Sequence, residues 1–262
     1  MRVRPFSHLA SLTVAAWGAL AGAGIGAAPA RSDEALNLTW FDCPAGAGES
    51  DDAFLCNTND GEHTLFLTFT LAQPLTGVIG LEAVVDLQSA DIALPPWWQL
   101  GAGGCRVGVP VNLVADASFA GSIACANPWR GTPASLIQGF TVGPPDHGVS
   151  NQARIKAVAS VPSDSASDLA AGTAYYGLKI IIRNGQTTGG PSACAGCLPP
   201  LCLVLNSILV RRLPGAPGGD AMLTTPGPGN GNWATWRGGT GADCALVPVR
   251  NRTWGQLKAL YR

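Results

Sequence analysis

The chain has 262 residues, with 16 Lys and Arg against 17 Asp and Glu, so its formal charge is −1. That balance argues against a nucleic-acid partner, which normally needs a basic stripe. Charged residues make up only 13% of the chain, about half the usual share, while 34 Gly and 20 Pro call for short strands joined by many turns.

The N-terminus reads as an export signal. Arg2 and Arg4 precede an uncharged stretch from Leu9 to Ala30, apolar from Leu9 to Ala21, and Ala28-Pro29-Ala30 fits the A-x-A cleavage pattern. The same stretch is long enough for an anchor, but its second half is mostly Gly and Ala. Residues 1–30 are therefore expected to be a signal peptide cleaved near Ala30. The mature chain is expected to be secreted or on the cell surface, with no membrane attachment. Losing Arg2 and Arg4 leaves 14 of the 16 basic residues against 17 acidic ones.

Residues 31–212 carry the period-two alternation of half-buried strands. In His63 to Leu71, Leu65, Leu67, Phe69 and Leu71 share one face; Phe66 lies on the other with Thr64, Thr68 and Thr70. Gly80 to Gln88 places Leu81, Ala83, Val85 and Leu87 inward. Arg154 to Val161 repeats the pattern with Ile155, Ala157, Ala159 and Val161. Tyr175 to Arg183 and Cys202 to Arg211 are continuously apolar, as in strands central to a sheet. Weaker strands are expected at Leu36 to Trp40, Val111 to Phe119, Leu136 to Val142 and Asn232 to Arg237. Asp60-Gly61 and Asn184-Gly185 are hairpin dipeptides. No stretch of the body has helical period. The expected fold is all-β: a disulfide-stapled antiparallel β-sandwich of jelly-roll or immunoglobulin/cohesin-like type.

Residues 213–248 are rich in Gly and Pro, the composition of a linker. They also hold Trp233, Trp236 and Cys244, so the segment is expected to pack on the body. In residues 249–262, Thr253 can cap a short helix that puts Trp254, Leu257, Leu260 and Tyr261 on one face. So short a helix needs a docking surface.

All eight cysteines (Cys43, Cys56, Cys105, Cys125, Cys194, Cys197, Cys202, Cys244) follow the signal, which reads as a disulfide framework. Nearest neighbours would pair Cys43 with Cys56 and Cys105 with Cys125, as local staples worth about 3 kcal/mol each. Cys194, Cys197, Cys202 and Cys244 can pair in three ways; one short bridge among the first three and one back to Cys244 is preferred. The Cys194-Ala-Gly-Cys197 motif does not open a helix, which argues against a redox pair, and a single CxxC among exported thiols argues against zinc.

The sequence names no reaction. No nucleophile elbow, zinc-helix motif, Walker loop or dinucleotide fingerprint is present. His63 and His147 are the two histidines of the mature chain. Glu82 with Asp86, or Asp86 with Asp91, has the composition of a glycosidase pair, but outward strand carboxylates are ordinarily solvated surface, so no catalytic residue is assigned. Asp51, Asp52, Asn57, Asn59 and Asp60 offer oxygen ligands for calcium, though not at EF-hand spacing. No cofactor is implied. Trp97, Trp98 and Trp129 are the candidate binding surface, for carbohydrate or another surface protein; of the adjacent pair, one is expected in the core and one outside.

The segments Leu36-Asn-Leu-Thr-Trp40, Ala83 to Gln88 with Leu94-Pro-Pro-Trp-Trp98, Ala193-Cys-Ala-Gly-Cys197, Leu203 to Ile208 and the ending Thr253-Trp-Gly-Gln-Leu-Lys-Ala-Leu-Tyr-Arg262 resemble a group of uncharacterised exported bacterial proteins. That resemblance implies secretion and a β-rich body and carries no activity. Gly80 to Trp98 is similar to the strand-then-loop segment of cohesin-like sandwiches. The functional expectation is a secreted, non-enzymatic binding or structural module. The alternatives are a hydrolase of extracellular polymers and an assembly subunit that docks through its C-terminal tail.

Overall fold

The computed structural model describes residues 33–106, 112–119, 124–132, 134–143, 150–229 and 231–245. Residues 1–30, expected to be a signal peptide, His147, and the tail 249–262 with Trp254, Leu257, Leu260 and Tyr261 lie outside the described residues, and so does the short helix expected there.

Twelve strands occur among the described residues. They are β1 (Ala35–Trp40), β2 (Asp51–Asp52), β3 (Glu62–Thr70), β4 (Leu75–Ser89), β5 (Leu113–Asp116), β6 (Ser135–Val142), β7 (Gln152–Ser160), β8 (Ser167–Leu169), β9 (Ala174–Arg183), β10 (Leu201–Arg212), β11 (Ala221–Leu223) and β12 (Trp233–Trp236). Helical structure among them is limited to short 3-10 turns, such as Pro96–Trp98. One sheet is ordered β1-β3-β9-β5. The other is ordered β2-β12-β10-β4-β7-β6, with β11 also on β10 and β8 on β4. Strand pairing is antiparallel except between β12 and β2.

The facing sides of the two sheets form one apolar core. Leu65, Leu67 and Phe69 of β3 and Leu178, Ile180 and Ile182 of β9 meet Leu81, Ala83, Val85 and Leu87 of β4 and Ile155, Ala157 and Ala159 of β7. Each large apolar side chain so buried contributes about 1.5–3 kcal/mol. In β10 the alternation changes phase. Leu201, Leu203 and Leu205 are buried in the core before Asn206, and Ile208 and Val210 after it. The register against β4 slips between Leu205 and Ser207. Asn206 is the extra residue of a bulge, and a bulge is what lets odd and even positions share one face.

The outer side of β3 is also covered. Phe66 is buried rather than lying among exposed threonines, because Tyr176, Phe119 and the Cys43–Cys125 bridge sit over that side of β3. The Tyr176 hydroxyl donates to the Asp116 carbonyl at 2.7 Å. Burial, and then the negative charge of Asp116, raise the Tyr176 phenol above its ordinary value of 10.0. The folded state therefore keeps a proton that the unfolded state releases near pH 10. This contribution is fully present below pH 10 and is lost as pH rises above it, at up to about 1.4 kcal/mol per pH unit. Urea denaturation at neutral pH and at about pH 11 is expected to show a smaller alkaline loss in Tyr176→Phe, with a cost of about 1 kcal/mol at neutral pH for the lost hydrogen bond. An alkaline loss equal to that of the unmodified protein counts against this reading.

All eight cysteines are bonded, but not to their sequence neighbours. The pairs are Cys43–Cys125, Cys56–Cys197, Cys105–Cys194 and Cys202–Cys244. The expected Cys43–Cys56 and Cys105–Cys125 staples and the short bridge within 194–202 are therefore incorrect; the bridge from that loop to Cys244 is present. Nearest-neighbour pairing assumes that chain neighbours stay together. Here successive strands cross between sheets, and Cys56, Cys105 and Cys244 all converge on residues 194–202.

Candidate binding surfaces

The tryptophans proposed as a surface are inside. Trp97, Trp98 and Trp129 are all buried. Trp97 and Trp98 share a 3-10 turn opened by Pro96, so they do not point to opposite sides as strand neighbours would. Trp236 is the centre of their cluster, with ring centroids 5.5 Å from Trp97, 5.3 Å from Trp98, 6.0 Å from Trp40 and 4.8 Å from His63. The Arg106 guanidinium lies 3.9 Å over the Trp97 ring. The expectation of one ring inside and one outside fails because the turn, not a strand, sets their directions.

The oxygen donors of residues 51–60 face separate partners. The Asp51 carboxylate accepts from Thr235 Oγ1 at 2.7 Å and from Gly238 N at 2.6 Å. Asp52 Oδ2 is 2.5 Å from His63 Nδ1. The Asn59 amide pairs with both backbone groups of Thr188. Asn57 and Asp60 are exposed. Among the described residues no three acidic, His or Cys side chains come together to hold a metal ion.

Of the carboxylates considered for hydrolysis, Asp91 is exposed, while Asp86 and Glu82 are tied down as well. Asp86 points outward from β4 yet is buried, its oxygens held by Arg154 at 2.6 Å and 2.7 Å and by Asn206 at 2.6 Å. Glu82 pairs with Arg211 at 3.2 Å. His63 is enclosed by Phe54 and Trp236. No cleft with convergent acids is built from them.

What the structure leaves open is a strand edge. The outer edge of β1 is covered: Leu36 N donates to Thr225 O, Leu38 N to Gly231 O and Trp40 N to Glu49 O. The free edge of β5 is capped by one amide side chain, since Gln138 donates to Leu113 O at 2.6 Å and accepts from Ala115 N. A primary amide offers the same donor and acceptor as a peptide group, so Gln138 stands in for a neighbouring strand. β2 is two residues long. β6 is different. It terminates the larger sheet, runs eight residues from Ser135 to Val142, and pairs only with β7 among the described residues. Its sequence, Ser-Leu-Ile-Gln-Gly-Phe-Thr-Val, has neither charge nor Pro, the usual guards of an edge. Ile137 is 75% exposed on it.

A second feature lies where β3, β9 and β5 end. Glu62 pairs with Arg183, so the turns Asp60-Gly61 and Asn184-Gly185 are brought side by side; Asn184 N donates to Gly61 O and its amide to Asp60 O. Asn184-Gly185 is thus not a hairpin, because β9 and β10 belong to different sheets. On the other flank of β9, Arg183 N donates to Asn112 O at 3.0 Å. These three chain segments enclose a surface cavity of about 620 Å³ lined by Asp60, Glu62, Asn112, Arg183, Gln186, Thr188 and neighbours. Asn112 is 3% exposed; its Nδ2 donates to Arg106 O at 2.7 Å and its Oδ1 has no partner among the described residues. Such an atom costs about 1–3 kcal/mol. A larger groove, about 910 Å³, lies by Trp233 and Cys244. No described residue lining it carries a buried polar side-chain atom without a partner. Sequence reasoning found neither the open edge nor the cavity, although the two turn dipeptides were a signal for the second.

No protein-family model matches the chain, and no curated protein matches it in sequence. Among solved structures it is similar to a cohesin module from a family 33 glycoside hydrolase of Clostridium perfringens, at 12% identity and a TM-score of 0.28, over 78% of this chain and 94% of that one. A likeness of that size carries no argument about fold or function. No helix among the described residues is long and apolar enough to cross a membrane.

Proposed function

We propose that the protein is a secreted, non-enzymatic binding module of the β-sandwich class that accepts an extended segment of a partner protein along β6. The edge position of β6 carries this reading: among the described residues its backbone is laddered only to β7, and an edge strand is a template for one more strand. Four disulfides support an oxidising, extracytoplasmic setting. The leader-like segment 1–30 supports the same route.

The test is selection of random phage-displayed peptides on the purified protein, followed by hydrogen exchange with the winners. The selected peptides are expected to be rich in β-branched and aromatic residues and to slow exchange within Ser135–Val142. Ile137→Lys is expected to weaken them by tenfold or more while changing stability by less than about 0.5 kcal/mol, since an edge lysine repels a new strand and Ile137 is exposed. Protection confined to other strands sinks the proposal.

A further inference from the structure

We propose that the cavity at the ends of β3, β5 and β9 binds a neutral saccharide unit. Three observations converge. First, Asn112 holds a buried carbonyl oxygen, Oδ1, that no group among the described residues satisfies, and the residue lines the cavity. Asn184, which follows the lining residue Arg183 in sequence but does not itself line the cavity, also holds a buried Oδ1 without a partner among the described residues. Asn112 Oδ1 is closed to solvent, so a donating ligand reaches it through a turn of the side chain toward the cavity.

Second, the surroundings cancel in charge. Glu62 pairs with Arg183 at 3.4 Å. The remaining acid on the wall is Asp60, and Arg106 lies behind it on the Gly185 carbonyl at 3.1 Å. An anion would meet Asp60 and Glu62; a cation would meet Arg183. A neutral ligand meets neither penalty. Third, the rim mixes donors and acceptors: Asn59, Gln186, Thr188 and Ser192. A hydroxyl group both donates and accepts, so a polyol can use every one of them. The volume of about 620 Å³ lies within the range of small-molecule sites. No aromatic ring among the described residues lines the wall, so binding rests on hydrogen bonds and is expected to be weak.

The inference is independent of the β6 edge, and the variants separate the two. Saturation-transfer NMR and calorimetry on the purified protein use maltose, cellobiose and diacetylchitobiose as neutral probes, with glucuronate and glucosamine as charged ones. At least one neutral disaccharide is expected to bind, whether free or coupled to albumin, the two forms telling a soluble from a displayed ligand. Asn112→Leu keeps the shape and removes the acceptor; Thr188→Val does the same at the rim. Each is expected to weaken binding roughly three- to tenfold, while Ile137→Lys leaves it unchanged. If Asn112→Leu does not fold, Thr188→Val and Ser192→Ala decide. The proposal is overturned if none of the neutral sugars binds, if binding survives the cavity substitutions, or if the charged sugars bind as tightly.

Discussion

Replacing Cys56 and Cys197 together with alanine is expected to cost about 5 kcal/mol, and full reduction is expected to unfold the protein at about 37 °C. The bridge spans 141 residues of sequence, the longest loop among the four. In the chain-entropy account, closing a loop of that length removes about 5 kcal/mol of denatured-state freedom, against about 4 kcal/mol for the 42-residue Cys202–Cys244 loop. Domains of this kind have a net stability of only about 5–15 kcal/mol. One bridge therefore holds a third or more of the margin, and four together exceed it. Urea denaturation of the double variant, with and without dithiothreitol, measures this. A loss under about 1 kcal/mol for the double variant refutes the account.

Trp236→Ala is expected to lose about 4 kcal/mol. The ring is fully buried and is the hub of the aromatic cluster, stacked on Trp97 and edge-on to Trp98 and His63. Its Nε1 donates to the Cys197 carbonyl at 2.8 Å, so removal opens a void and leaves that carbonyl bare. The near-ultraviolet circular dichroism of the coupled indoles should collapse in the same variant. Trp236→Phe, which keeps most of the volume, should cost less than half as much. If alanine and phenylalanine have equal, small effects, the hub role is refuted.

The strands that could be read from the residues were those with one wet and one dry side. β3, β4 and β7 alternate because the core takes every second side chain, and their inward residues were visible for that reason. β10 was legible as central, but its phase change at Asn206 was not, since a bulge shows only in the pairing with β4. The cysteine partners, the direction of Trp97 and Trp98, and the covering of Phe66 depend on which strands become neighbours. That is a property of topology, and alternation does not encode it. The same holds for β6. Leu136 to Val142 could be seen as a strand, yet its place at the end of the sheet follows only from the order of the others. The cavity is legible at best in hindsight: Asp60-Gly61 and Asn184-Gly185 each looked like an ordinary turn until the Glu62–Arg183 register set them together.

The seal along β1 has a consequence for biosynthesis. The first strand of the domain donates its outer hydrogen bonds to the carbonyls of Thr225 and Gly231, and Trp40 rests on Trp236. A chain still attached to the ribosome cannot close that seam until nearly all of it has been made. The polypeptide is thereby kept from finishing its fold early, and closure of this seam is among the last steps that follow synthesis.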